Sequence, residues 1–329
     1  MKVNARRDPS LAARIIARQP LLYAEGADPS LDRPAHVRAG SSLARFGESL
    51  ALVQDDANFL ALIGPGGAVR ALTLPVGEGG LRQFDDRRGN KRHKLDLEAC
   101  AAVPLAGGTG LLALGSGSTP AREKVLLVQD PLGREPRVRL REAPELYRLL
   151  RASPQFSGSE LNLEGAAFLG ARLRLLGRGN GAARGDLRPV NATADLEWED
   201  LRAYLEGESA NPPALEGVLQ YDLGLLGGQA LGFTDGAAWR GSLLYCAAAE
   251  DSPDATRDGA VTGSAIGVID PDGAARWALL TGPDGAVFPG KVEGIAAGGS
   301  GWLWAVLDAD DPGQPSELCR VELDGPWLS

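Results

Sequence analysis

Through most of the chain, short apolar runs alternate with glycine-bearing turns, and few stretches keep the 3.6-residue spacing of a helix. Runs at 50–53, 111–114, 173–176, 243–247 and 303–307 each follow a shorter apolar segment and a turn glycine, the pattern of hairpin strands. Their nearly continuous apolar character suits sheets covered on both faces. Further strand pairs follow. Segments 59–63 and 69–74 flank Gly64-Pro65-Gly66-Gly67, 124–128 is followed by 137–140, and 265–269 and 274–279 bracket the type I turn Asp270-Pro271-Asp272-Gly273. Helical spacing is confined to two short pieces, 144–151 and 198–205.

The strand pattern repeats. Leu97-Glu98-Ala99-Cys100-Ala101, Leu163-Glu164-Gly165-Ala166-Ala167, Thr234-Asp235-Gly236-Ala237-Ala238 and Val292-Glu293-Gly294-Ile295-Ala296 each set a carboxylate before small apolar residues, at intervals of 58 to 71 residues. A degenerate copy, Gly40-Ser41-Ser42-Leu43-Ala44, precedes the first by a similar distance. In four copies the marked residue stands six positions before a glycine: Ser41 and Gly47, Glu164 and Gly170, Asp235 and Gly241, Glu293 and Gly299. Periods of this length fit the blades of a propeller.

The expected architecture is therefore all-β, a single five-bladed β-propeller over 1–329, with six blades as the alternative count. The repeat units cover approximately 38–75, 96–152, 161–224, 232–281 and 291–323. The last unit has three strands in sequence, and the N-terminal strand 11–22 is expected to pair with it, close the ring and remove an open sheet edge.

Composition narrows the function. A formal net charge of -9 argues against a nucleic-acid or anionic-membrane surface. Arg14, Arg18 and Gln19 interrupt the one N-terminal apolar stretch, so no leader or membrane anchor is expected and the chain reads as a cytoplasmic monomer. Cys100, Cys246 and Cys319 are odd in number and lie beside apolar residues, as buried free thiols do.

In a blade, the start of the first strand and the end of the second emerge on one face. That rule gathers Ser41, Glu98, Glu164, Asp235 and Glu293 with a second polar set. The second set is Asp55-Asp56-Ala57-Asn58, Ser116-Gly117-Ser118, Arg178-Gly179-Asn180, Glu250-Asp251-Ser252-Pro253-Asp254 and Asp308-Ala309-Asp310-Asp311. Carboxylates crowded around an axis raise one another's pKa. A hard cation held by Glu98, Glu164, Asp235 and Glu293, Ca²⁺ or Mg²⁺, would relieve this, as would basic partners such as Arg38, Lys94 and Lys291. Backbone amides of a neighbouring blade would do the same, and the acids would then be structural. Arg178, Asn180, Lys291, Lys94, Arg38, Asp55, Glu250 and Asp308 are the candidate contacts for a small anionic substrate. His36 and His93 are the candidate general bases, with surface histidines as the plainer reading. Gly115-Ser116-Gly117-Ser118-Thr119 has the composition of a small anion nest but lacks the lysine and the strand-to-helix setting of a P-loop.

Leu161-Asn162-Leu163-Glu164-Gly165-Ala166-Ala167-Phe168, Phe233-Thr234-Asp235 and Lys291-Val292-Glu293-Gly294, with the polar clusters after them, resemble an uncharacterised family of bacterial propeller proteins. That family is distantly similar to phytase-type, esterase-like propellers. The resemblance runs from about Arg38 to Leu323 and implies a propeller without assigning an activity. Five-bladed calcium-dependent nucleotidases, which hold a cation in the channel with acidic residues, offer an analogy of fold. The functional expectation is a metal-dependent hydrolase of a small phosphorylated or ester-type molecule. Its rival is a non-catalytic ligand- or protein-binding propeller.

Overall fold

The computed structural model describes residues 2–251, 259 and 261–328. Ser252, Pro253 and Asp254 of the fourth acidic cluster lie outside the described residues. The fold is all-β with a propeller-like arrangement of twisted antiparallel sheets. Gly40–Phe46, Ser49–Gln54, Phe59–Ile63 and Val69–Thr73 form one meander, and Leu97–Leu105, Gly108–Gly115, Lys124–Gln129 and Arg137–Glu142 the next. A third contains Leu163–Leu169, Arg172–Gly177, Asn191–Glu197 and Glu216–Asp222, with Lys2–Asn4 added in parallel outside.

The remaining strands share one large sheet. Gln229–Trp239, Ser242–Glu250, Val261–Ile269 and Ala275–Thr281 run outward in order, and Lys291–Gly299, Trp302–Asp308 and Glu317–Asp324 do the same. Ala12–Pro20 joins the two halves. It pairs antiparallel with Glu317–Asp324 along its whole length and in parallel with Leu280 and Thr281. Both helices read from the sequence are present, Pro144–Arg151 and Trp198–Glu206. The Asp270 turn forms as its proline and glycine dictate, with Gly273 at φ 89° and its N–H on Asp270 O. All three cysteines are buried and free.

The innermost strands explain the repeat. Gly40–Phe46, Leu97–Leu105, Leu163–Leu169, Gln229–Trp239 and Lys291–Gly299 lie side by side in sequence order, and the fifth also packs against the first. They approach closely. A Cβ added to Gly165 would sit 2.9 Å from Gly236 N, and one added to Gly294 would sit 2.6 Å from Ser41 O. The small residues after each acid are thus a packing requirement between neighbouring strands.

Each inner strand also breaks register at the same place: between Gly40 and Ser42, Leu97 and Ala99, Leu163 and Gly165, Phe233 and Asp235, and Val292 and Gly294. One residue is squeezed out of each ladder as a bulge, a device that re-aims a side chain. Those residues are Ser41, Glu98, Glu164, Thr234 and Glu293.

Gly294→Ala is expected to cost about 1–3 kcal/mol by overpacking. Gly64→Ala, whose Cβ would meet nothing nearer than 3.8 Å, should stay within about 0.5 kcal/mol of the wild type. Urea unfolding of both variants checks this.

Candidate functional site

The bulges aim their side chains at one end of the axis, where Ser41, Glu98, Glu164 and Glu293 line a cavity of about 60 Å³. The extended segments entering the inner strands add residues two and four positions earlier, which period-two alternation puts on the same face. These are Lys94 and Asp96 ahead of Glu98, Asn162 ahead of Glu164, and Lys291 ahead of Glu293. The ends of the second strands complete the wall with Asp55, Arg178, Asn180, Asp308 and Asp310, and Arg122 enters from the loop beyond.

Every basic group in the cavity is in contact with carboxylates. Lys94 Nζ contacts Asp55 Oδ1 and lies 2.6 Å from Asp96 Oδ1, while Arg122 Nη1 lies 3.0 Å from Asp96 Oδ2. Ser116 Oγ also donates to Asp96. Across the cavity, Arg178 donates to Glu250 at 2.6 Å and to Glu164 at 3.4 Å. Lys291 reaches Glu293 at 2.6 Å and Glu250 at 3.2 Å. Asn162 Nδ2 donates to Glu164 at 2.6 Å and to Asn180 Oδ1 at 3.3 Å.

Carboxylates outnumber cations here, and their proton affinities divide accordingly. Burial pushes Glu98 well above the usual carboxylate range, and the charges of Asp55, Asp96 and Glu164 push it further. Burial likewise raises Asp308, reinforced by Asp310, Glu293 and Asp56. Burial lifts Glu164 to about 8 against the pull of Arg178, and lifts Asp55 to about 7 against the pull of Lys94. Burial opposes ionisation of Asp96 and Glu250 too, but is overcome: Lys94 and Arg122 hold Asp96 at about 2, and Lys291 and Arg178 hold Glu250 at about 2.

Asp55, Asp96 and Glu98 each present a carboxylate oxygen within 4.8 Å of the others, a spacing one cation could bridge. All three donors are hard oxygens, which suits Ca²⁺ or Mg²⁺ better than zinc. Lys94 lies between Asp55 and Asp96, so an entering cation must share or displace its ammonium group.

The cavity thus brings together nine of the sequence candidates: Glu98, Glu164, Glu293, Lys94, Lys291, Arg178, Asn180, Asp55 and Asp308. Glu250 stands behind the wall as the counter-ion shared by Arg178 and Lys291. Asp235 does not join them. The bulged residue in its strand is Thr234, whose Oγ1 donates to Val292 O at 2.6 Å, and a one-residue offset turns the next side chain to the other face. Asp235 is fully buried one layer below, among its equivalents Ser42, Ala99, Gly165 and Gly294. Its carboxylate accepts from Ile295 N at 2.9 Å, Ser42 Oγ at 3.1 Å and Leu43 N at 3.5 Å.

Arg38 is buried away from the cavity, bonded to Asp56, Gln83 and Asp85. Neither histidine lines the cavity: His36 Nε2 lies 3.3 Å from Pro312 O, and His93 Nε2 accepts from Arg92. Asp310 arrives with the Asp308 cluster, whereas Asp96, Asn162 and Arg122 were not singled out from the sequence. The alternation Lys94-x-Asp96-x-Glu98 and Asn162-x-Glu164 would have marked two of these, but Arg122 carried no signal.

Fold and cavity together define a propeller-like all-β protein with a charged, ion-paired pocket at one end of its axis. The chain belongs to a family of unknown function, DUF6929, whose profile matches residues 36–323. No curated protein matches the sequence. Among solved structures, the chain is similar to glutaminyl cyclase from Myxococcus xanthus, at 14% identity over 99% of both chains with a TM-score of 0.47. It is also similar to virginiamycin B lyase from Staphylococcus aureus, at 8% identity over 95% of this chain and 99% of the other with a TM-score of 0.40. No helix among the described residues is long and apolar enough to cross a membrane.

Asp235→Ala strands two buried amides and a hydroxyl, which should cost about 3 kcal/mol or more in urea unfolding. The pH dependence has a definite sign. A carboxyl held above its ordinary value keeps its proton in the folded chain, so it stabilises fully below about pH 4 and that stabilisation is lost as pH rises through the folded value. Glu164 and Asp55 act this way up to about 8 and about 7. Asp96 and Glu250 act oppositely and matter only as pH falls toward 2. In chelator-containing buffer the thermal midpoint should therefore fall between pH 5 and pH 8.5, and Glu164→Gln should flatten the fall. A midpoint that rises over this interval would contradict the assignment.

Proposed function

We propose that the chain is a five-bladed propeller holding one hard divalent cation, Ca²⁺ or Mg²⁺, at the channel mouth, and that it hydrolyses a small phosphorylated or ester-type molecule. The neighbour relations of the inner strands and the insertion of Ala12–Pro20 beside the last strand support the five-bladed ring. The grouping of Asp55, Asp96 and Glu98 within 4.8 Å of one another carries the metal reading. Glu98, Glu164 and Asp308 add to its weight, because each resists ionisation where no further positive charge is present.

A bound cation would lower the pKa of a coordinated water and polarise a substrate oxygen. Glu164, lifted to about 8 before a cation enters, would be placed to give a proton to the leaving oxygen as water's oxygen takes its place. At about 60 Å³ the mouth admits an ion and a few waters. The organic part of a substrate fits the adjoining cavity of about 270 Å³, which shares Ala39, Asp55, Asp308 and Asp310 with it. The Lys94, Arg178 and Lys291 charges are already in contact with acids, so the cation, more than these side chains, would hold an anionic substrate.

That same commitment favours a second reading, a binding propeller without catalysis. Isothermal titration of chelated protein with CaCl₂ and MgCl₂ tests the metal. One equivalent should bind, and Asp96→Asn or Glu98→Gln should weaken it by about tenfold or more. Absence of binding by either ion would remove the metal reading. A panel of phosphomonoesters and carboxylic esters then separates the two functions, since the hydrolase requires chelator-sensitive turnover and the binder shows none.

A further inference from the structure

A second cavity, of about 540 Å³, lies between the second and third units and shares no lining residue with the channel mouth. It is built partly from the turn that had the composition of an anion nest. We propose that it binds a small organic oxyanion, a phosphate monoester or a carboxylate, with a short apolar body.

Two guanidinium groups mark its wall, against the single carboxylate of Glu160. Arg151 Nη2 donates to Gly117 O at 2.6 Å and meets Glu123 Oε1 at 2.7 Å, which fixes the head group in place. Arg184 reaches in from the opposite loop and pairs with Glu160. Each guanidinium carries five donors in a planar fork that matches the oxygens of phosphate and carboxylate. Ser118, Thr119 and Ser159 line the same space.

Ser159 adds an unmet polar group to this wall. It is only 9% exposed, and its Oγ has no hydrogen-bond partner among the described residues. A buried hydroxyl left unmet is costly, and rotation of this short side chain would bring the hydroxyl to a ligand oxygen in the cavity that Ser159 lines. Leu161 and Leu187 add an apolar side to the wall, and Leu187 is 42% exposed in the free protein. The volume lies within the range of small-molecule sites. The two cavities share no lining residue, and Ser118 of this one is bonded to Arg122 of the other at 2.7 Å.

Isothermal titration of the full chain with phenyl phosphate, benzoate and inorganic phosphate tests the proposal. Phenyl phosphate or benzoate should bind, and the tighter of the two names the head group. Arg184→Gln should weaken binding about tenfold, the loss of one charge-assisted pair. Ser159→Ala should weaken it about threefold to fivefold. Arg184 lies in an exposed loop, so its variant is expected to fold, with circular dichroism as the check. Failure of both organic anions to bind overturns the site. So does inorganic phosphate binding as tightly as phenyl phosphate, or binding that ignores both Arg184→Gln and Ser159→Ala.

Discussion

The Asp235 carboxylate is the point on which the inner strands converge. It accepts amides from the first and fifth strands, and through Ser42 it is linked to the second, because Ser42 Oγ accepts from Cys100 N at 3.0 Å. Four of the five strands are thus tied to one buried group. Such a group fits only because its counterparts at the same level are serine, alanine and glycine. Burial pushes its pKa well above the usual range in spite of the amides that favour its charge. The position is therefore structural, and it floors the polar cavity above it.

That cavity is organised by opposed demands. Removing ionised groups from water is unfavourable, and ion pairs offset the cost only where partners are close and well directed. Lys94 and Arg122 form one such set with Asp55 and Asp96, and Arg178 and Lys291 form another around Glu250. Glu98 and Asp308 have less compensation, and their raised pKa values record the imbalance. An arrangement that resolves its charge incompletely keeps protons on part of its acids.

Much of this was legible in the chain. The all-β class, the turns and the two longer helices follow from apolar spacing and from glycine and proline placement, which act locally. Bulges at Glu98, Glu164 and Glu293 were foreshadowed by the acid-plus-small-residue motif. The fourth copy misled because its glycine does not hold the equivalent turn position. Gly170 is the first residue of its two-residue turn, whereas Gly241 is the second, after Arg240 at φ 51°. Equal sequence distances therefore mark positions one residue apart, and Asp235 falls one layer too low. Arg122 and the pairing of Arg178 with Glu250 depend on tertiary approach across 26 and 72 residues, which no local pattern reports.

The strand Ala12–Pro20 has a consequence for how the molecule is made. Its antiparallel partner, Glu317–Asp324, lies some 300 residues further along the chain and is synthesised correspondingly later. During synthesis one edge of that strand has no neighbour, while the earlier meanders can already form from contacts within themselves. Completion of the large sheet is therefore the slow, non-local step. In the interval a strand offered by a second nascent chain presents the same complementary edge, so exchange between copies is the characteristic hazard of this topology.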